Sequence, residues 1–364
     1  MKCALRHAVG ALEILLTTSK GDCNRGCLPS HQRVFRGSGR LVCSRQTHPL
    51  PASEGRTRLL GSLPLLLSAP LLLASSTRVV GQAYAAKHSS APEQVYLIIR
   101  TDDAGMSHSV NMGLERLIAT GLPVSVSVMF PTPWYQETVE ILKKNPEVSV
   151  GIHLTLNSEW KNYRWGPVLG RTAVPSLVDA DGYFFASAEA LHQNNPKLDE
   201  VERELRAQID RALKSGLKID YVDYHMGTVV RYPEFRDLTE RLAREYGLGM
   251  SRYFGDTSHD SQYSAAPAAK IDSLLAMINR LQPRFNLVVT HVGIDDAELG
   301  ALLDMNTSDP LPDMSKNRQG ELDALTSPRF REALKARNVR VITYRQLIEM
   351  QGLKSMKRPV EDVN

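Results

Sequence analysis

Five side chains able to take part in acid–base or metal chemistry each follow a short apolar run. They are Asp102 and Asp103 after the run at 95–99 and, after three later runs, His153, His225 and His291. Short apolar runs without polar alternation are typical of strands buried on both faces. If these strands are parallel, their carboxyl ends meet at one rim, where the five side chains would converge. Taken singly, each has a simpler interpretation: an aspartate can cap a helix, and a lone histidine can be a core residue.

The combination of residue types predicts metal-assisted hydrolysis. One carboxylate and two imidazoles form a ligand set that leaves positions open for water and substrate. A metal ion bound there lowers the pKa of its water and polarises a carbonyl group. A second carboxylate can act as general base, and a further histidine can protonate the leaving group. This division of roles is that of amide or ester hydrolysis without a covalent intermediate.

The elements that must position these residues alternate between strand and helix. The predicted strands cover 95–99, 124–130, 148–152, 219–224, 248–254, 287–290 and 339–344, and the predicted helices 107–120, 138–144, 199–216, 233–246, 270–281 and 345–350. Such an order leaves little room for hairpins and indicates parallel strands joined by helical crossovers. The sequence therefore predicts an α/β fold with the active site at the carboxyl ends of the strands.

A long segment at 157–199 interrupts this alternation. It is rich in tryptophan, tyrosine and phenylalanine, and connections of this length are often functional. Its aromatic residues, Trp160 among them, either stack on sugar rings at the mouth of the site or cover the edge of the sheet. The residues 179–182 (DADG) are interpreted as a turn, because the later ligands of a calcium loop are absent.

Charge and cysteine content exclude several classes of function. Of the chain's 44 Lys and Arg and 40 Asp and Glu, eleven and three lie in residues 1–86, which leaves 33 basic and 37 acidic residues afterwards. The predicted folded part is mildly acidic, so we expect no nucleic-acid partner. All four cysteines lie within residues 1–43. A disulfide framework, a thiolate zinc site and a cysteine nucleophile are therefore excluded from the rest of the chain.

The amino-terminal region has the composition of an export signal. Residues 1–55 are predicted to be an unstructured extension. The true start codon is either Met1 or a codon downstream of it. Residues 56–85 combine a basic flank, an apolar core and the A-x-A pattern that ends at Ala85, and so predict a secretory signal peptide. A membrane anchor and an organellar presequence are the alternatives. We expect one catalytic domain at 86–364, exported to the periplasm or outside the cell, with no membrane contact after cleavage.

Several motifs together resemble one known family, the YdjC/ChbG-like carbohydrate deacetylases of the glycoside hydrolase/deacetylase barrel superfamily. The motifs are RTDDAGMSHSVN at 100–111, VGIHLTLNSEW at 150–160, EVERELRAQID at 200–210, DYHMG at 223–227 and THVG at 290–293. The resemblance runs from about residue 96 to residue 291 and beyond. It implies a distorted (β/α) TIM-like barrel and hydrolytic removal of acetyl groups from sugars.

The resemblance also implies a role for each site residue. Asp102 looks like the general base and His291 like the general acid, while Asp103, His153 and His225 look like the metal ligands. The chain departs from the family pattern at Gly227, where many members have a second histidine, and at Val292, where the usual motif reads His-Pro-Gly. Four further residues are predicted to bind substrate: Arg100, Trp160, Asp223 and Tyr224.

The leading hypothesis is an exported, metal-dependent deacetylase of N-acetylated or O-acetylated mono- or oligosaccharides. The predicted cofactor is a divalent ion, Mg²⁺ or Zn²⁺, with Mn²⁺ and Co²⁺ also suited to the ligand set. Two alternatives remain: a metal-dependent hydrolase of another ester or amide, and a non-catalytic carbohydrate-binding protein. A glycosidase is disfavoured, because it would leave the three histidines without a role. A part for Arg100 in holding Asp102 ionised is also expected.

Overall fold

The computed structural model describes residues 93–259, 262–307 and 313–360. The predicted extension at 1–55 and the predicted signal peptide at 56–85 lie outside the described residues. In the part of the chain that the structure describes, no helix has the length and apolar character needed to cross a membrane.

Within these residues, eight strands form one sheet in which every pairing is parallel. The strands are β1 (Val95–Ala104), β2 (Ser125–Val128), β3 (Ser149–Leu154), β4 (Ile219–Tyr224), β5 (Gly249–Met250), β6 (Thr257–His259), β7 (Arg284–Thr290) and β8 (Val339–Ile342). Their order is β5-β4-β3-β2-β1-β7-β6, and β8 pairs with the first half of β1, at Val95–Ile98. The predicted parallel α/β sheet is thus confirmed.

The sheet is curled into an incomplete barrel. Arg100 on β1 donates a hydrogen bond to Ser251, which follows β5 four places away in the strand order. The rings of Tyr221 on β4 and Tyr344 after β8 lie 4.6 Å apart, and both belong to a small apolar cluster with Ile98. Residues of such distant strands meet only when the sheet curves around them, so this cluster fills the interior. A larger apolar cluster lies between the sheet and the helices.

Eleven α-helices are seen in the described ranges. They are α1 (His108–Ile118), α2 (Tyr135–Lys143), α3 (Ala188–Gln193), α4 (Leu198–Lys214), α5 (Thr228–Arg231), α6 (Pro233–Glu245), α7 (Lys270–Arg280), α8 (Ala297–Gly300), α9 (Met314–Thr326), α10 (Pro328–Ala336) and α11 (Tyr344–Gln351). All six predicted helices are present. The helix α1 begins after Ser107, whose side chain accepts a hydrogen bond from the backbone N–H of Val110.

The prediction missed β6 and five of the helices in the described ranges, and it made one strand too long. The strand predicted at 248–254 is reduced to the two residues of β5, because the chain turns at Ser251 to close the interior. The helix α9 was not predicted at all. Its buried positions include Asn317, Arg318 and Glu321, so its inward face lacks the apolar stripe from which a helix is recognised.

The segment 157–199 forms a wall beside the carboxyl ends of the strands. Trp165 and Phe184 are buried, as is Trp160, which pairs in a short antiparallel bridge with Asp304. Trp165 and Phe184 therefore cover the sheet, as one of the two interpretations held, whereas Trp160 also lines a cavity at the strand ends. The predicted turn at 179–182 is confirmed by the hydrogen bond from the N–H of Gly182 to the carbonyl oxygen of Asp179.

Candidate active site

A β-bulge brings the two adjacent aspartates to the same cavity. Thr101 pairs with Val126 and Ala104 with Val128, so Asp102 and Asp103 oppose a single residue of β2. Asp103 has a φ of 62°, in the left-handed region. In a regular strand neighbouring side chains point to opposite faces. The extra residue removes that alternation, and both carboxylates line one cavity of about 300 Å³.

The three predicted metal ligands converge beside Asp102. Asp103 Oδ1 lies 3.4 Å from His153 Nε2 and 3.3 Å from His225 Nδ1. All three ligand atoms lie within 4.8 Å of one another. His153 comes from the end of β3, and His225 directly follows β4. The convergence predicted from four strand ends is therefore present for these three residues.

The donor set fits a divalent metal ion. Asp103 Oδ1 is buried and accepts no hydrogen bond from any described residue. Two atoms bound to one ion at about 2.1 Å, at angles between tetrahedral and octahedral, lie roughly 3.0–3.4 Å apart. The observed separations of 3.3 and 3.4 Å fall at the upper end of that range. Asp103, His153 and His225 are thus the residues that would hold the ion.

A second carboxylate orients each imidazole. His153 Nδ1 donates to Asp223 Oδ1, and His225 Nε2 donates to Glu159 Oε2, both at 2.9 Å. Such contacts fix the ring orientation and leave the other nitrogen facing the metal position. Glu159 was not recognised from the sequence, although it lies in the motif VGIHLTLNSEW; its only signal was a carboxylate six residues after His153.

These carboxylates also raise the pKa of both histidines. Burial lowers the pKa of His153, but Asp223 and Asp102 outweigh it and raise the pKa to about 10. Burial acts in the same direction on His225, where Glu159 and Asp103 raise the pKa to about 9. Burial also opposes ionisation of Asp103, yet the Arg318 guanidinium holds the pKa of that carboxyl well below its usual range. Without a bound ion, the ligands therefore form a buried network of opposite charges.

Arg100 holds Asp102 from inside the barrel. Its Nε and Nη2 donate to the two oxygens of Asp102 at 2.7 and 2.6 Å, and Nε lies 2.9 Å from Asp223 Oδ2. Burial lowers the pKa of Arg100, but Asp102 and Asp223 raise it well above its ordinary value, so the guanidinium stays charged. The expected contact between Arg100 and Asp102 is thus present, and it links the predicted base to the carboxylate that orients His153.

Only Trp160, of the four residues predicted to bind substrate, lines the cavity. Arg100 and Asp223 are buried beneath Asp102 and His153, and Tyr224 packs into the larger apolar cluster. Alternation along β1 and β4 explains this placement. Arg100 and Asp223 lie two residues before Asp102 and His225, on the same face but one layer deeper, whereas Tyr224 lies on the opposite face. None of these three residues lines the cavity, and the contacts of Arg100 and Asp223 support the site from behind.

His291 lies in the cavity opposite the metal ligands. It follows β7, and its backbone N–H donates to Glu321 Oε2 at 2.7 Å. Its Nδ1 has no hydrogen-bond partner among the described residues, and its ring meets the edge of Tyr263 at 5.4 Å. Burial lowers the pKa of His291 to about 4, so the imidazole is neutral at pH 7 before substrate enters.

The sequence did not point to three further residues that line the cavity, Tyr263, Asp304 and Arg318. Arg318 belongs to α9, and its Nη2 donates to Asp103 Oδ2 at 2.7 Å. None of the three directly follows a predicted strand. Their contribution depends on tertiary packing, for which the sequence carries no local signal.

Comparison with known proteins assigns the family. Residues 96–336 match the model of the family described as YdjC-like protein. The chain belongs to the YdjC-like family.

Over 262 residues, this YdjC-like chain is 27% identical to a carbohydrate deacetylase of Brevibacillus brevis, across 69% of the chain and 99% of that protein. A carbohydrate deacetylase of Vibrio cholerae serotype O1 is 26% identical over 259 residues, across 69% of this chain and 96% of the relative.

A solved structure supports the same relationship. A putative cellobiose-phosphate cleavage protein of Enterococcus faecalis V583 superposes on this YdjC-like chain with a TM-score of 0.57 and 26% identity. The superposition covers 70% of the chain and 99% of that structure. The resemblance inferred from the motifs and the barrel fold are both confirmed.

Proposed function

We propose that the protein is a metal-dependent hydrolase that removes acetyl groups from N-acetylated or O-acetylated saccharides. The observation that carries the proposal is the convergence of Asp103 Oδ1, His153 Nε2 and His225 Nδ1 beside a second carboxylate, Asp102, in one cavity. The relatives in Brevibacillus brevis and Vibrio cholerae are named carbohydrate deacetylases, which supports the choice of substrate.

Asp102 is the proposed general base. The ion held by Asp103, His153 and His225 would supply Lewis acidity toward the acyl oxygen and toward water. Asp102 takes the proton from the attacking water, for which it needs to be ionised and fixed in orientation. The two hydrogen bonds from Arg100 fix its orientation. Arg100 is itself fixed by Ser251 and Asp223 on the opposite side of the barrel.

His291 is proposed to protonate the leaving nitrogen or oxygen. With a pKa of about 4 it enters the reaction neutral, because its ring is buried. Negative charge that develops on the substrate favours the protonated ring, so we expect its pKa to rise during the reaction. The hydrogen bond from its backbone N–H to Glu321 fixes the end of β7 and hence the position of the ring.

The walls of the cavity suit a saccharide. Trp160, Met226 and Tyr263 provide apolar and aromatic surface, against which the C–H face of a sugar ring can pack. Asp304 and Glu159 provide carboxylate oxygens that accept hydrogen bonds from hydroxyl groups. Specific pockets commonly combine such apolar walls with a few polar groups.

The test is acetate release by the full-length protein from a panel of N- and O-acetylated mono- and oligosaccharides. The protein is first treated with a chelator and then reloaded with Mg²⁺, Zn²⁺, Mn²⁺ or Co²⁺. We expect release to disappear with the chelator and to return with at least one ion. Release that is indifferent to the chelator would contradict metal catalysis. No release from any sugar, despite sugar binding, would favour a non-catalytic binding protein.

We also propose that the enzyme is exported through the segment 56–85. The support is the basic flank, apolar core and A-x-A pattern in the sequence. Expression of the full-length chain with a carboxyl-terminal tag, followed by cell fractionation and amino-terminal sequencing, tests this. A mature protein that begins near Ala86 outside the inner membrane is expected, whereas an uncleaved chain in the membrane fraction would indicate an anchor.

A further inference from the structure

The two oxygens of Asp103 have different environments. Oδ2 accepts a hydrogen bond of 2.7 Å from Arg318 Nη2 in a buried ion pair. Oδ1 faces His153 and His225 and accepts none from the described residues. Because the guanidinium occupies one oxygen, the carboxylate can offer only the other to an ion between the two histidines.

Arg318 is held rigidly in this position. It is almost fully buried, on the face of α9 that packs against the loop after β7. A Cβ placed on Gly293 of that loop would lie 3.2 Å from Arg318 Cβ and 2.6 Å from a Leu299 methyl group. This close approach between backbone and side chain requires glycine at 293, and it fixes the point from which the arginine side chain extends to Asp103.

The arginine is costly in terms of folding. Its Nε and Nη1 are buried and have no acceptor in the described ranges. A buried donor without a partner destabilises the fold, and a buried charge does so more strongly unless it is paired. A neutral side chain would fill the same space without these costs. The placement is therefore better explained by its effect on Asp103 than by stability.

We propose that Arg318 is a positioning residue that restricts Asp103 to ligation through a single oxygen. This inference rests on the proposed function, since it concerns the same metal site. A carboxylate free to turn can bind an ion through both oxygens and so occupy a coordination position that water or the acyl oxygen needs. By holding Oδ2, Arg318 keeps that position open.

The experiment compares wild-type protein with Arg318→Met, loaded with Co²⁺ after chelator treatment. Visible absorption reports coordination number, because four- and five-coordinate Co²⁺ absorbs more strongly than six-coordinate Co²⁺. Titration calorimetry gives the Kd for Co²⁺, and circular dichroism with thermal melting establishes folding. Lys316→Met, an exposed residue of the same helix, is the matched control.

In Arg318→Met we expect a weaker visible band, a Kd raised about 10- to 100-fold, and a loss of kcat that exceeds any change in KM. Arg318→Lys, which retains a cationic donor, is expected to recover part of the wild-type spectrum, and Lys316→Met all of it. If Arg318→Met does not fold, Arg318→Gln, whose amide is too short to reach Oδ2, is expected to show the same spectral change.

A folded Arg318→Met or Arg318→Gln protein with the wild-type spectrum and a Kd within twofold of wild type would overturn the inference and leave the proposed function intact. Failure of wild-type protein to bind Co²⁺ stoichiometrically would instead overturn the proposed metal site, and the inference with it. The two failures are thus distinguished by the wild-type titration alone.

Discussion

At the scale of single residues, each predicted metal ligand is held at the atom that it does not offer to the ion. Arg318 holds Asp103 Oδ2, Asp223 holds His153 Nδ1, and Glu159 holds His225 Nε2. Groups fixed in this way lose less conformational freedom when an ion binds, and their orientation is set beforehand. Asp102 differs from the three ligands, because Arg100 donates to both of its oxygens.

The first residue-scale prediction separates base from ligand. Asp102→Asn can still accept a hydrogen bond from Arg100, but its amide cannot take a proton from water. We expect full metal content and a kcat lower by about 10²- to 10⁴-fold. Metal analysis and acetate-release kinetics measure the two quantities. Activity near wild type would show that Asp102 is not the base, and loss of metal would show that it is a ligand.

The second residue-scale prediction concerns the protons that are released when the ion binds. With pKa values of about 10 and 9, His153 and His225 are both protonated at pH 7 in the metal-free protein. Because an imidazole must lose a proton to bind a metal, affinity should rise with pH up to about 9 and level off above about 10. Calorimetry in two buffers of different ionisation enthalpy should detect close to two protons at pH 7.

A variant of Glu159 tests whether the charge of this residue keeps His225 protonated before the ion binds. Glu159→Gln removes the charge that raises the pKa of His225 and leaves the burial that lowers it. We expect proton release at pH 7 to fall by about one proton. Release that is unchanged in this variant, or absent from wild-type protein, would contradict the assignment of His225 as a ligand protonated through Glu159.

Sequence reasoning located the residues that directly follow apolar strands and missed those that do not. Asp103, His153 and His225 were found because parallel strands bring their carboxyl ends together. Arg318 was missed, because no local pattern places a polar helical residue 215 positions later against Asp103. The shared orientation of Asp102 and Asp103 also escaped prediction, since a bulge depends on pairing with β2.

At the scale of elements, the approach of α1 to the loop after β7 determines where His291 lies. A Cβ on Gly113 of α1 would lie 2.7 Å from Gly293 Cα and 2.8 Å from its nitrogen. The backbone N–H of Ile294 donates to the carbonyl oxygen of Ser109 in the same contact. Only glycine at 113 allows the helix and the loop to pack at this distance.

Gly113→Ala is therefore expected to disturb both stability and turnover. Alanine has a better helix propensity by about 1 kcal/mol, but overlap with a fixed backbone costs about 1–3 kcal/mol, so the overlap decides the sign. We expect a lower denaturation midpoint and a reduced kcat, because the loop that carries His291 must move. Gly300→Ala, also in a helix but with the nearest atom 3.7 Å away, is the control and should leave kcat unchanged without lowering the denaturation midpoint.

An apolar stripe decided whether each of two helices, α4 and α9, could be predicted from the sequence. The helix α4 buries Val201, Leu205 and Ile209 on one face and was recognised from that stripe. The helix α9 buries polar residues that serve the site, and its sequence therefore resembles a loop. Helices whose inward face serves the site are for this reason the hardest to recognise from sequence, and α9 is the one that supplies Arg318.

At the scale of the whole molecule, the proposed metal site joins strands that are separate along the chain. Its ligands come from the ends of β1 and β3 and from the residue after β4, with Arg318 of α9 behind Asp103. Without an ion, these groups form a buried ion network, which contributes little net stability because desolvation opposes the attraction. An ion that binds the native state and not the unfolded state therefore stabilises the whole fold.

We expect the unfolding temperature to rise with the concentration of the preferred ion and to fall when a chelator is added. At a free ion concentration of 100 times Kd the gain is about 2.7 kcal/mol, which corresponds to a few degrees for a domain of this size. Asp103→Asn removes the charged ligand and should abolish the rise, while His108→Ala, an exposed histidine paired with Glu137 outside the cavity, should retain it. Scanning fluorimetry across ion concentrations measures both. A rise of equal size in Asp103→Asn would place the stabilising ion somewhere other than the site built from β1, β3 and β4.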